Sequence, residues 1–297
     1  VGSNQIDVFP NMSRSCVSNL PALICLLVGC IAVASAGNFY SDVDIVYGEH
    51  RARILEGGNM MTLQLDRGSG SGMQSKNRFL FGKFSMRVKL VPGNSAGTVA
   101  SFYLHSKGQG AAWDEIDFEF LGNLSGQPYK LHTNIFTGGR GMREQQFYLW
   151  FDPTADFHTY TILWNPHQVA WYVDGTPIRV YKNLESMGLG FPKFHPMYMF
   201  ATLWNGEGWA TRGGKVKVDW SKAPFVASFA DFVDDACVVS WNGASICRNT
   251  PQWYYQQMDV AAVQQIHAIQ ARYMVYNFCK DPWRFYHGFP RDCYLPQ

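Results

Sequence analysis

Residues 114–120 read Asp-Glu-Ile-Asp-Phe-Glu-Phe, with the carboxylates Glu115, Asp117 and Glu119 at alternate positions and apolar side chains between them. In an extended strand, residues i, i+2 and i+4 share a face. The three acids therefore point one way, while Ile116, Phe118 and Phe120 point the other. Like charges side by side repel, and an ordinary solvated strand face mixes signs or uses uncharged polar groups. A calcium site would take its oxygens from a Gly-rich loop and backbone carbonyls, not from a stiff strand. The chemistry that uses two neighbouring carboxylates is glycoside cleavage: one attacks the anomeric carbon and the other protonates the departing oxygen. A retaining enzyme holds that pair about 5–5.5 Å apart, yet positions i and i+4 lie ~13 Å apart along a strand rising ~3.3 Å per residue. The glutamates must lean together on the concave face of a curved sheet, so the motif predicts a curved sheet with a cleft. Asp117 can hydrogen-bond one glutamate and orient it, and its titration is coupled to both neighbours. Crowding raises the pKa of whichever glutamate is the general acid, as that role requires.

The elements that position this strand are also β. From about Asn38 to Trp220, short alternating runs separated by Gly, Asn and Pro predict an all-β fold, a curved antiparallel β-sandwich. The runs are 81–91, 98–104, 158–165, 169–182 and 215–220, and Asp174-Gly175 supplies a hairpin turn within the fourth. Arg67–Gly72 reads as a tight polar turn and not a phosphate loop, because no helix pattern follows it. After Pro224 the pattern changes. Within 258–276, Val260, Val263, Ile266, Ile269 and Tyr273 fall near one helical face, Asp259 can cap the start, and His267 lies off the stripe at the surface. The expected layout is an upstream leader at 1–11, a signal peptide at 12–36, a catalytic sandwich at 37–222 and a C-terminal extension containing a helix at 223–297.

The signal begins at Met12 with Arg14, continues through an apolar run at 21–33 and ends at Ala34-Ser35-Ala36. That run is shorter than the ~20 residues of a spanning helix, so no membrane association is expected once the signal is cleaved. Residues 1–11 precede the start Met and are set aside. Cys16, Cys25 and Cys30 leave with the signal, and Cys237, Cys247, Cys279 and Cys293 remain. An even number in a secreted chain reads as disulfides. Four cysteines allow three pairings, and short loops favour Cys237–Cys247 with Cys279–Cys293. No Cys-x-x-Cys or His at ligand spacing supports zinc. The net charge of +2 without a basic run argues against nucleic acid as a partner. The 15% aromatic content fits sugar binding and a large β core equally.

Residues 113–126, WDEIDFEFLGNLSG, resemble the active-site strand of the xyloglucan endotransglucosylase/hydrolases, plant enzymes of glycoside hydrolase family sixteen. FGKFSMRVKLVPGNSAGTV, REQQFYLWFDPT, LWNGEGWATRGGKVKVDWSKAPF and the C-terminal cysteines carry the likeness over essentially the whole mature chain. The resemblance implies a concanavalin A-like jelly roll with a long open cleft. It also implies a xyloglucan donor and a xyloglucan acceptor, no cofactor or metal, a monomer, and secretion to the cell wall or apoplast. Carried over, Glu115 is the nucleophile, Asp117 its helper and Glu119 the general acid/base. Asn123, in Asn123-Leu124-Ser125, is the glycosylated residue. Asn11-Met12-Ser13 is also a sequon but precedes the signal. Substrate contacts carry over to Glu119, His132, Thr133, Asn134, Met142, Arg143, Glu144, Trp204, Trp209, Ala210, Gly214 and Arg284. The chain departs from the family at Trp113, where His is common, and at Met142 and Gln146, where Asp and Arg are common; these departures are expected near the acceptor side. Only residues 137–142 intervene where hydrolytic relatives carry a longer loop, which points to transfer over endo-hydrolysis. A glucan-binding or wall-structural protein on the same sandwich is the reading from another class, and such a protein would not need two glutamates flanking an aspartate.

Overall fold

The computed structural model describes residues 36–240, 242–247 and 251–296. The leader, the signal up to Ser35 and the Asn11 sequon lie outside them. The strands form one connected antiparallel sheet that doubles back on itself along a single long strand, β4 (Ser71–Lys89). The first part of β4 pairs with β1 (Val43–Tyr47) and with β12 (Met197–Asn205). From β12 this first layer continues through β5 (Thr98–His105), β6 (Glu115–Leu121), β7 (Lys130–Phe136), β8 (Gln145–Tyr148) and β15 (Met274–Asn277). The second part of β4 pairs with β9 (His158–Trp164) and with β13 (Phe225–Val239). This second layer extends from β9 to β10 (Gln168–Val173) and β11 (Thr176–Lys182). On the other side it extends from β13 to β3 (Met60–Leu65) and β2 (Ala52–Leu55), with β14 (Ser245–Ile246) paired to the end of β13.

The core between the layers is aromatic. Ile116, Phe118 and Phe120 are fully buried, as the alternation in β6 requires. Phe120 meets the Tyr160 ring edge-on at 4.6 Å, and Phe118 does so at 5.7 Å. Burying one such ring contributes about 1.5–3 kcal/mol. The second layer also holds the backbone of the first. The indole of Trp171 on β10 donates to the Asp117 carbonyl at 3.0 Å. The buried guanidinium of Arg179 on β11 donates to the carbonyl and hydroxyl of Thr133 and to the Arg143 carbonyl. The β10–β11 turn has both Asp174 and Gly175 at positive φ (47° and 74°), which a tight two-residue hairpin demands.

Three local expectations are corrected. Residues 215–220 form no strand: Gly213 and Gly214 turn the chain at positive φ, and Glu207 then holds the segment through the Val218 amide and the Lys217 ammonium. The turn read at 67–72 ends at Gly70, because Ser71 already begins β4. The sandwich does not end at 222, since β13 pairs along β3 and β4 and forms part of both ladders. The helix α1 (Val260–Tyr273) forms where the apolar pattern puts it, with the Asp259 carboxylate accepting from the Ala262 amide. Ile266 is buried and His267 is exposed, while Val260 in the first turn is 74% exposed and leaves the stripe. The extension carries the disulfides Cys237–Cys247 and Cys279–Cys293.

Candidate active site

The face of β6 that carries the acids looks away from the core into a cleft of about 350 Å³. Antiparallel register gives each carboxylate a defined neighbour on both sides. Glu119 lies between Ser101 and His132, Asp117 between Tyr103 and Asn134, and Glu115 between His105 and Phe136. The trio is thus enclosed by β5 and β7, whose own period-2 alternation brings those side chains to the same face.

Glu115 accepts a 2.7 Å hydrogen bond from the Trp113 indole at Oε2, and His105 Nε2 stands 3.7 Å from the same oxygen. The Trp113 ring is fixed by stacking on Phe136 (4.9 Å between centroids, 6° between planes). Asp117 is buried, and its carboxyl is pushed well above the usual range, first by burial and then by the charges of Glu115 and Glu119. These causes, with a hydrogen bond shared with Glu115, favour its protonated form. Burial raises Glu119 to about 7, with the charges of Glu115 and Glu144 adding to the effect. His132, lowered to about 4 by burial, is neutral, with Nε2 at 3.7 Å from Glu119 Oε2 and Nδ1 hydrogen-bonded to the Gln146 amide.

Trp209 crosses His132 edge-on at 5.6 Å and leans on Trp204 at 6.2 Å, so an exposed indole stands beside the histidine that neighbours Glu119. Ala210 is buried and packs with Val99 and Leu121 beneath this pair. Gly214 is needed for its positive φ, and a Cβ there would collide with the Gly208 carbonyl, so both residues support Trp209 rather than present side chains. Arg284 in the extension grips Glu144 with two bonds, 2.6 and 2.9 Å. Burial acts to raise Glu144, but these bonds outweigh it and hold the carboxyl below its usual value.

Two residues expected to contact substrate are turned elsewhere. Thr133 faces the core beside Phe118 and is fully buried. Arg143 is buried, with its guanidinium bonded to Asp292 and to the Arg140 carbonyl. Asn134 is also buried; its Oδ1 accepts from the Arg143 and Ile135 amides. Met142 stands exposed at a positive φ of 65°. Of the departures from the family pattern, Trp113 bonds Glu115, and Gln146 bonds the histidine beside Glu119. Tyr103, His105 and Asp292 were missed. Ser101, Tyr103 and His105 alternate along β5, and that period was the available signal for the first two; Asp292 had none. Asp292→Ala is expected to lower the unfolding free energy by about 3 kcal/mol in urea titration, because it strands a buried guanidinium. Replacing both partners by apolar residues should recover most of that loss.

Residues 39–222 match the model of glycosyl hydrolases family 16, and residues 247–293 match that of the xyloglucan endo-transglycosylase C-terminus. Probable xyloglucan endotransglucosylase/hydrolase protein 23 of Arabidopsis thaliana is 55% identical over 283 residues, 93% of this chain and 98% of its own. Xyloglucan endotransglucosylase protein 1 of Diospyros kaki is 50% identical over 275 residues, 91% of this chain and 93% of its own. Among solved structures, a lichenase from a mouse hindgut metagenome superposes with TM-score 0.55 at 25% identity, covering 67% of this chain and 96% of its own. The apo Crh5 transglycosylase does so with TM-score 0.55 at 25% identity, covering 71% and 84%. With this coverage and a carboxylate trio on the matching strand, the chain belongs to glycosyl hydrolase family 16, among the xyloglucan endotransglucosylase/hydrolases.

Proposed function

We propose that the protein cleaves the β-1,4-glucan backbone of xyloglucan by retaining double displacement and passes the glycosyl group to the 4-hydroxyl of another xyloglucan chain. The observation that carries this reading is the division of labour within the trio: Glu115 receives donors, and Glu119 holds a proton up to about pH 7. Glu115 attacks the anomeric carbon while Glu119 gives its proton to the departing O4. Asp117, neutral, keeps Glu115 in place. Once Glu115 is esterified its negative charge is gone, and with it one cause of the raised Glu119. Glu119 becomes more acidic and stands ionised, ready to take the proton of the incoming hydroxyl. Trp209 offers the acceptor a flat face next to that base. The relatives named for transfer support the choice over hydrolysis, as does the short 137–142 segment. The same reading puts the mature protein in the cell wall or apoplast.

Incubation with xyloglucan polymer and a labelled xyloglucan oligosaccharide tests the proposal. Label should enter the polymer with little rise in reducing ends, and Trp209→Ala should damage transfer more than residual hydrolysis. Polymer that shortens with reducing ends rising and no label incorporated would make the enzyme a hydrolase. Bound but uncleaved xyloglucan would make it a binding protein. Trp113→Phe keeps the stack on Phe136 but removes the N–H on Glu115. It should lower kcat by about 10-fold or more, the worth of one hydrogen bond to a charged group. Trp113→His, which retains a ring N–H, should recover part of the loss.

A further inference from the structure

Asp114 is the carboxylate of the Asp114–Phe120 stretch that takes no part in the chemistry of the trio. It is 3% exposed and does not line the cleft. A buried carboxylate is costly unless its oxygens are bonded, and here each oxygen takes a donor from a distant part of the chain. The Gly138 amide donates to Oδ1 at 2.8 Å, and His195 Nδ1 donates to Oδ2 at 2.8 Å. Three segments therefore meet at one carboxylate: the approach to β6, the short 137–142 turn, and the run at 191–196 that leads into β12.

The backbone next to Asp114 is bonded to the same turn. The Gly139 amide donates to the Trp113 carbonyl at 2.7 Å. The packing is close enough that a Cβ on Gly139 would stand 2.4 Å from the Gly110 carbonyl oxygen. Trp113 stacks on Phe136, the last residue of β7, and the turn begins directly after it. Trp113 is thus held by its ring from β7 and by its carbonyl from the turn, and its indole donates to Glu115. With so little free space, a movement of the turn is passed on to that indole. His195 secures the turn through a side chain that is 36% exposed and lies outside the cleft.

We propose that His195 is a positioning residue for the nucleophile. It fixes the Asp114 carboxylate, Asp114 holds the Gly138–Gly139 turn against the Trp113 backbone, and the Trp113 indole aims Glu115 at the anomeric carbon. The assignment rests on Glu115 acting as nucleophile. Without His195 the Asp114 carboxylate has one donor fewer, the turn loosens, and Glu115 spends less of its time in line for attack. Sugar binding is left as it was, because none of the linking groups except Trp113 and Glu115 lines the cleft.

The test is kinetic, on the full-length protein and below its melting transition, so that lost stability does not read as lost turnover. With xyloglucan polymer and a labelled xyloglucan oligosaccharide, His195→Ala should lower kcat by about 10-fold, the worth of one hydrogen bond to a charged group, with both KM values within about 2-fold of the parent. His195→Asn, whose amide N–H can stand where Nδ1 does, should recover most of the loss. In a Trp113→Phe background, where the indole N–H is already gone, His195→Ala should cost no more than about 2-fold further. An activated donor needs no proton from Glu119, so the rate of glycosyl-enzyme formation, followed by mass spectrometry, should fall by the same factor as kcat. A His195→Ala protein with parental kcat, equal losses in the Ala and Asn variants, or losses that multiply in full with Trp113→Phe would each overturn the proposal. Glycosyl-enzyme forming as fast in His195→Ala as in the parent would remove the role of His195 alone. A parent that forms none would sink the nucleophile assignment and the positioning role together.

Discussion

Glu115→Ala is expected to abolish transfer and hydrolysis together, by about 10⁴-fold or more, since removing a covalent nucleophile eliminates the intermediate both routes share. Folding should survive, because the side chain is on the cleft face and its removal relieves repulsion with Glu119. Two readouts separate this outcome from simple misfolding. Xyloglucan should still bind the variant, and mass spectrometry after mixing with an activated donor should find no glycosyl-enzyme, whereas Glu119→Ala should accumulate one. A Glu115→Ala protein that still transferred label would remove Glu115 from the mechanism.

Glu119→Gln should cut transfer between natural chains by about 10²–10⁴-fold, the usual contribution of a general acid/base, while making the protein more stable at neutral pH. The sign follows from proton binding. The unfolded chain releases this proton near pH 4.5, and the folded protein holds it to about 7. Between those values the native state binds more protons, so this carboxyl lowers stability as pH rises through the window and by a constant amount above it. The rise to about 7 corresponds to roughly 3 kcal/mol, reduced toward 2 because 21% of the side chain remains exposed. The variant should therefore unfold at higher urea than the parent at pH 8 and at equal urea at pH 4. Parent activity should fall as pH rises past about 7, where the acid is lost. A gain in stability at pH 4 equal to that at pH 8 would mean the effect is packing and not titration.

How much of this was readable in the sequence depends on the range of each contact. The trio was legible because a strand's period of two turns spacing into a shared face. The hairpin at Asp174-Gly175 and the cap at Asp259 were legible because each is decided within a few residues. Trp113 was noticed only as a departure, because its contact with Glu115 depends on the stack with Phe136, more than twenty residues away. The buried pairing of Arg143 was not legible for the same reason: its partner Asp292 lies 149 positions along the chain, and nothing local announces a guanidinium that meets a buried carboxylate. The alternation at 215–220 failed as a strand signal because two positive-φ glycines ahead of it had already turned the chain aside.

Strand β4 also sets a timetable. Its second part takes β13 as a neighbour, and β13 ends at Val239, 150 residues after Lys89 (239 − 89). At a synthesis rate of roughly 5–20 residues per second, β4 waits about 8–30 s for that strand, with an unpaired edge throughout. The wait explains why the region from Phe225 onward cannot be treated as an appendage. A gene truncated at residue 222, the end of the family 16 match, would make a chain in which β3 and half of β4 never receive their partner. Such a chain should emerge as inclusion material, and any swap of catalytic halves between relatives must carry the segment through Val239 with it.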